Sequence, residues 1–317
     1  FALLLGGHPA SALLVTSGNN SGTGSRIDVD PLERDLREHF HPEHAASNCK
    51  AKRKEGDARP VMYVHVHKGA GTMMCEWAHK MGERFVFFNH GCASLRFMDS
   101  VPPDYQEVSP HSVRRHLTCE RRASTFHGIT WNSLEHELCE GDRCFDNFKY
   151  FTVLRETISR IQSHVNFDGP TDVQAFMECL ERRTPCPEGS SSRWGFHYRR
   201  WLYLDNFLVR TFAECDAMNV GPGMVTRRHL EAAVATLRRF DTVVPLQNLS
   251  SARGQQEMDR LLGWHVASDA PHTVTDASTY HISFSPGDVE RLKRINHLDI
   301  ELTDRIFKEW VFAPQSL

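Results

Sequence analysis

What this 317-residue chain lacks narrows its function before any motif is read. It has no strong charge of either sign. Its 37 Lys and Arg against 40 Asp and Glu leave a formal net charge of −3, so nothing draws it globally to nucleic acid or to an acidic membrane surface. No nucleic-acid partner is expected. It lacks Cys-x-x-Cys pairs, so its nine cysteines do not have zinc-site spacing. His39, His41, His44 and Cys49 crowd together without a helical i, i+4 pair, which suits exposed histidines better than a metal. No metal is expected. The apolar run 1–15 is broken by Gly6, Gly7, His8 and Pro9 and is too short to span a bilayer by itself. It reads either as the tail of a signal or membrane-anchor segment whose remainder lies upstream, or as a flexible arm. There is no internal repeat.

What is present is more specific. Cys139 and Cys144 bracket a tight Glu-Gly-Asp-Arg turn, and Cys179 and Cys186 bracket Thr-Pro, spacings that suit short disulfide loops in an oxidising lumen. Asn19-Asn-Ser and Asn248-Leu-Ser are glycosylation patterns. Residence in the secretory pathway is expected. Arginine doublets at 114–115, 121–122, 182–183, 199–200, 227–228 and 238–239 are mostly the mark of solvated helix faces, though several converging on one cleft would suit an anion.

The chain divides into an arm or stem over 1–58, with an amphipathic helix at 27–44 and a Ser/Gly/Asn-rich linker at 16–25, and a single domain over 59–317. Within the domain, strands are expected at 61–66, 84–88, 122–126, 149–154 and 241–246. Helices are expected at 72–81, 130–138, 155–165, 173–182, 196–215, 225–240, 251–262, 286–296 and 299–312. Strands alternating with helices argue for an α/β fold: a P-loop-like central parallel sheet, helices on both faces, and a helical C-terminal third. Ligands of such sheets sit at the carboxyl ends of the strands.

Two strand ends carry the chemistry. Val61-Met-Tyr-Val-His-Val-His-Lys-Gly-Ala-Gly-Thr72 runs from an apolar strand through a small-residue turn into a helix start, the outline of a phosphate cradle. It is not a Walker A loop, because Lys68 precedes the glycines. The second is Leu154-Arg-Glu-Thr-Ile-Ser-Arg-Ile-Gln-Ser163, where Arg155 sits at the junction and Ser163 lies two turns along the helix. Arg155 can grip a phosphate through two N–H groups or pair with a carboxylate.

Together these stretches resemble the sulfotransferases that use 3′-phosphoadenosine 5′-phosphosulfate (PAPS), in particular the Golgi carbohydrate, heparan-sulfate type. That family's 5′-phosphosulfate loop reads like Pro-Lys-Thr-Gly-Gly-Thr, matched here by His67-Lys-Gly-Ala-Gly-Thr72. Its 3′-phosphate motif reads like Leu-Arg-Asp-Pro followed by Arg and Ser, matched by Leu154-Arg-Glu-Thr157 with Arg160 and Ser163. The departures are His67 for Pro, Gly69 for Thr, and Glu156-Thr157 for Asp-Pro. The similarity covers roughly residues 60–310, and the two short motifs carry most of it.

The resemblance implies in-line sulfuryl transfer from PAPS to a hydroxyl acceptor, a glycan or a small metabolite, in the Golgi lumen, with PAP as product. His67, Lys68, Gly69, Ala70, Gly71 and Thr72 would hold the 5′-phosphosulfate, with Lys68 balancing charge on the bridging oxygen. Arg155 and Ser163 would hold the 3′-phosphate. His127, in Thr125-Phe-His-Gly-Ile-Thr-Trp-Asn132, looks like the family's histidine segment and is the candidate general base, with Trp131 as a sugar-stacking surface. Glu76, Glu135 or Glu137 could serve as base instead. Asn206 and Arg210 are weaker donor- or acceptor-site candidates. His65 alternates along its strand in the manner of a packed residue. Two other classes compete: a kinase-like phosphotransferase, which would place a Lys after the last loop glycine and a Mg²⁺-binding Asp at a strand end, and a non-catalytic nucleotide- or glycan-binding relative.

Overall fold

Alternation along the first strand sorts the core into two layers. In the computed structural model, which describes residues 59–84, 119–120, 123, 130–134, 138–168, 173–187, 200–264 and 282–312, the sheet is built from β1 (Val61–Val64), β2 (Trp131–Leu134), β3 (Lys149–Leu154) and β4 (Thr242–Pro245). The strands lie in the order β2-β1-β3-β4 and every pairing is parallel. Eight α-helices are described: α1 (Gly71–Lys80), α2 (Thr157–Asp168), α3 (Val173–Arg182), α4 (Phe207–Phe212), α5 (Arg227–Leu237), α6 (Ala252–Leu262), α7 (Pro286–Ile295) and α8 (His297–Phe312).

Because side chains on a strand alternate, Met62 and Val64 join one apolar cluster with Leu134, Tyr150 and Leu154. That cluster is covered by α4, α5 and α8 through Leu208, Phe212, Leu230, Val234 and Leu302. Val61 and Tyr63 face the other way with Trp131, Phe151, Val153 and Val244, covered by Trp77 of α1 and Met258 and Leu262 of α6. A third cluster stands apart from the sheet, where Ile161 and Val165 of α2 pack on Phe176 and Leu180 of α3 and Leu292 of α7. The expected sheet, covered on both faces, is therefore present among the described residues.

Capping residues explain the helix limits that were legible. Ser251 accepts from Gly254 N–H at the start of α6, and Gly263 ends it with φ 67°. Ser285 and Asp288 cap α7 reciprocally, with Pro286 in the first turn. Pro245 closes β4, an edge strand of the described sheet, where a missing N–H is tolerated.

Three expectations change. Residues 130–138, expected as a helix, contain β2 instead: all four of its residues are buried and paired to β1, so sheet pairing overrides local helix preference. The expected helix 196–215 is broken into a 3-10 segment (Arg200–Leu204) and α4, because Asn206 between them takes the left-handed conformation, φ 47° and ψ 47°. Cys144 bonds to Cys119, not to Cys139, while Cys179 and Cys186 pair as expected. Cys75 and Cys139 each take part in a disulfide as well. Spacing alone favoured the nearer cysteine, but the fold brings Cys119 within a Cα–Cα distance of 5.3 Å of Cys144. These disulfides fit an oxidising compartment. No described helix is long and apolar enough to cross a membrane. The arm 1–58 and residues 85–88 of the expected second strand lie outside the described residues.

Candidate functional site

The chain leaves β1 for α1 and β2 on one side, and later reaches β3 on the other side of β1. Strand order reverses at that point, which opens a crevice outside the carboxyl ends of β1 and β3. Both phosphate-type motifs end there. β1 and β3 pair in register, Val61 with Lys149 through Tyr63 with Phe151, so the loop after β1 and the junction after β3 emerge side by side.

The loop is tight. Gly69 N–H donates to the Val66 carbonyl at 2.7 Å, and the Tyr63 hydroxyl donates to the Gly69 carbonyl at 3.0 Å. A side chain at 69 would meet the carbonyls of Val66 and Val153 at 2.8 and 2.9 Å, so only glycine lets the loop lie against the end of β3. A side chain at 71 would fall inside the His65 ring. The glycines thus serve close approach to the protein's own atoms. The left-handed backbone is taken instead by Lys68, φ 65°, and Ala70, φ 71°. Non-glycine residues held this way cost on the order of 1–3 kcal/mol each and concentrate at binding sites.

Ala70 is the N-cap of α1 and gives it no side-chain cap. The start of α1, where the first N–H groups and the helix dipole favour negative charge, follows the loop directly at the carboxyl end of β1. Lys68 is half-buried, and its Nζ lies 4.1 Å from the centre of the Phe167 ring at the far end of α2. His67 packs between His164, Phe167 and Tyr203, at centroid distances of 5.0, 5.7 and 5.0 Å. The residue standing where the resembled family has Pro is therefore an aromatic bolt between the loop and α2. Thr72 is half-buried in the first turn of α1.

At the second junction, Glu156 takes over the helix start that Asp-Pro would have made. Its carboxylate accepts from Ile158 N–H at 3.0 Å and Ser159 N–H at 2.7 Å. That carboxylate occupies the N-terminus of α2, so an anion here must be held by side chains. Arg155 is half-buried and donates from Nε to Ser159 Oγ at 2.8 Å; burial lowers its pKa, and Glu156 partly offsets this. Among the described residues Ser159 is its one hydrogen-bond partner. Ser159, Ser163 and Phe167 recur at four-residue steps on one face of α2, and Arg155, just before the helix, reaches that face through Ser159, so it lines up with Ser163 and the ring under Lys68. Ser159 and Phe167 were missed from the sequence, although their four-residue spacing from Ser163 was the available signal.

The remaining candidates lie elsewhere. His127, Glu135 and Glu137 fall outside the described residues. Glu76 is half-buried on α1. Trp131, expected as a sugar-stacking surface, is fully buried in β2 and stacks on Trp264 at 5.1 Å, so it is a core residue. Asn206 and Arg210, expected near donor or acceptor, are also structural. The Asn206 amide oxygen accepts from Leu298 and Asp299 N–H, capping α8. Asp299 accepts from Leu208 and Val209 N–H, capping α4 in return. The Arg210 guanidinium is fully buried, with donors on the Asp205 carboxylate and the carbonyls of Asp205, Ala217, Val220 and Gly221. Nothing of it is left for a ligand.

Beside this junction Arg160 is fully buried and its pKa falls to about 10, chiefly by desolvation. Burial likewise pushes Asp299 up to about 6, against the pull of Arg160 and the two backbone N–H groups. Arg227 and Arg238 form exposed ion pairs with Glu301 and Glu309 of α8, and Arg239 lies over Phe145. No group of three or more metal-ligating side chains occurs among the described residues. No protein-family model matches this chain, and no curated protein matches it.

Proposed function

We propose that the protein is a PAPS-dependent sulfotransferase of the P-loop-like, Golgi carbohydrate type, acting on a hydroxyl of a glycan or of a small metabolite. The observation that carries this is the seating of the loop against β3. Gly69 can approach the Val153 carbonyl only because it has no side chain, and Arg155 follows two residues later. Two anion-type motifs about eighty residues apart in sequence thereby meet at one strand crevice, the arrangement a donor with phosphates at both ends of its ribose requires.

In this reading the backbone N–H groups over Gly69–Thr72 and the Thr72 hydroxyl hold the 5′-phosphate, and Arg155 and Ser163 hold the 3′-phosphate. The acceptor oxygen attacks sulfur in line. A bond forms from that oxygen to sulfur while the bond from sulfur to the bridging oxygen breaks, and the electron pair leaves on the phosphate of PAP. Lys68 neutralises charge growing on the bridging oxygen, the term such loose transition states depend on most. The acceptor proton goes to a base, assigned to His127. A kinase reading is less well supported, since Asp241 precedes β4 and accepts from Tyr150 N–H and Arg59 at the amino end of the sheet, away from the loop.

Incubation with radiolabelled PAPS and a panel of glycan and small hydroxylated acceptors tests the proposal. Label transfer to an acceptor, and stabilisation of the fold by PAP in a thermal-shift assay, are expected. A melting temperature unmoved by PAP sinks it.

A further inference from the structure

The geometry points to Tyr63 and His65 as positioning residues that set the shape of the anion loop from underneath; the ligand concerned is that of the proposed function, and the inference rests on that reading for its identity. Neither residue belongs to the loop motif. Tyr63 lies on β1, on the face on which α1 packs, and His65 stands two residues on, just past the strand's end, where its N–H still donates to the Leu134 carbonyl of β2. Their rings stack at 5.8 Å with an interplanar angle of 15°. The Tyr63 ring is fully buried and held on its other sides by Trp131 at 5.4 Å and Phe151 at 5.3 Å, so it has no freedom to swing.

From this fixed base the Tyr63 hydroxyl donates to the Gly69 carbonyl at 3.0 Å. No described peptide bond is cis. In a trans peptide the N–H points opposite to the C=O, so drawing the Gly69 carbonyl down toward the sheet turns the Ala70 N–H away from it, to the crevice side. One buried hydroxyl thus aims one amide of the cradle. His65 sets the other dimension. Its imidazole fills the space into which a side chain at 71 would project, so the first residue of α1 rests directly on the ring. The depth at which the helix N-terminus sits above the sheet is the thickness of that ring.

The left-handed backbone at Lys68 and Ala70 is the cost of this placement, and two buried contacts hold it from below. The sequence motif names the residues that would touch phosphate. These two would decide where those residues stand.

The test is calorimetric titration of the full chain and its variants with PAP, adenosine 5′-monophosphate, adenosine 3′-monophosphate and inorganic pyrophosphate. Tyr63→Phe keeps the ring and removes only the hydroxyl. It is expected to weaken PAP and adenosine 5′-monophosphate by about 3- to 10-fold, the value of one neutral hydrogen bond, and to leave adenosine 3′-monophosphate unchanged. Gly71→Ala is expected to abolish binding of the 5′-phosphate ligands. Gly71→Ala combined with His65→Ala is expected to recover part of it, since removing the imidazole makes room for the methyl group.

Loss of 3′- and 5′-phosphate binding in equal measure on Tyr63→Phe would mean general damage and overturns the inference. So does unchanged PAP binding in both Tyr63→Phe and Gly71→Ala, or a double variant no better than Gly71→Ala alone. If the unaltered protein binds pyrophosphate but not PAP, the donor reading fails. The same variants titrated with pyrophosphate then judge the positioning role by itself.

Discussion

The loop after β1 and the α4–α8 junction are both dense in polar residues, and they use them in opposite ways. At the junction the side-chain donors of Arg210 and Asn206 are matched to acceptors inside the protein. The Arg210 guanidinium bonds to Asp205 and to carbonyls of the 217–221 turn, while Asn206 and Asp299 cap each other's helices. Such a site is closed, and its polar groups hold chain to chain. At the loop, the tight contacts are made beneath by Tyr63, His65 and Val153, and the helix start above carries no side-chain cap. Its charged side chains are half-buried: Lys68 rests on an aromatic ring and Arg155 bonds a single serine. Burial with complete internal satisfaction marks a structural cluster; partial exposure above a strained backbone marks a candidate site.

Mutation can break this contrast, and the largest effect is expected at the junction. Arg210→Ala leaves the Asp205 carboxylate buried without its cation and should destabilise the fold by about 3–5 kcal/mol. Urea denaturation would show it, and a loss confined to ligand binding would move Arg210 back to the site. Lys68→Ala should do the reverse, lowering turnover by about 10²–10³-fold with the denaturation midpoint and PAP affinity nearly unchanged. A fully active variant removes Lys68 from the mechanism. His127→Ala should fold normally and lose activity, and unchanged activity would pass the base role to a carboxylate such as Glu76.

Arg155→Ala should weaken PAP by about 1.5–3 kcal/mol, as for a charged hydrogen bond, while adenosine 5′-monophosphate binds as before. Equal loss for both ligands would separate Arg155 from the 3′-phosphate. The smallest effect is a pH dependence at the junction. Asp299 has its pKa raised to about 6 by burial, above its unfolded value, so the protonated form is favoured in the folded state. The stability this provides is present at low pH and is lost as pH rises through about 6. Relative to Asp299→Asn, the natural protein should lose about 2 kcal/mol between about pH 4.5 and about pH 7. Parallel stability curves for the two proteins would show that Asp299 keeps its charge throughout.

Much of this was legible in the chain. The limits of α3 matched their expected residues, and those of α6 and α7 fell within one residue, because each is set by local chemistry: Thr-Pro after α3, Ser251 and Gly263 around α6, Ser285 and Pro286 before α7. The two anion motifs could be read for the same reason, since a glycine turn or an arginine at a strand end is a local pattern. Asn206, Arg210 and Trp131 could not be sorted, because their roles depend on partners far along the chain. Trp131 meets Trp264, and Asn206 meets Leu298. Nothing near them distinguishes a residue that waits for a ligand from one that has already found a partner in the fold.

The sequence alone determined the strand–turn–helix units, the alternating apolar strands of a parallel sheet, and the residue types offered to an anion. These follow from backbone propensity, period and side-chain chemistry over a few neighbours. Only the tertiary structure decided that β1 and β3 lie side by side and bring the two motifs together, and that Cys144 takes Cys119. It also decided that the strain falls on Lys68 and Ala70 while the glycines fit against Val153 and His65. Strand order and long-range packing set which surfaces meet, and no local window of residues contains that information.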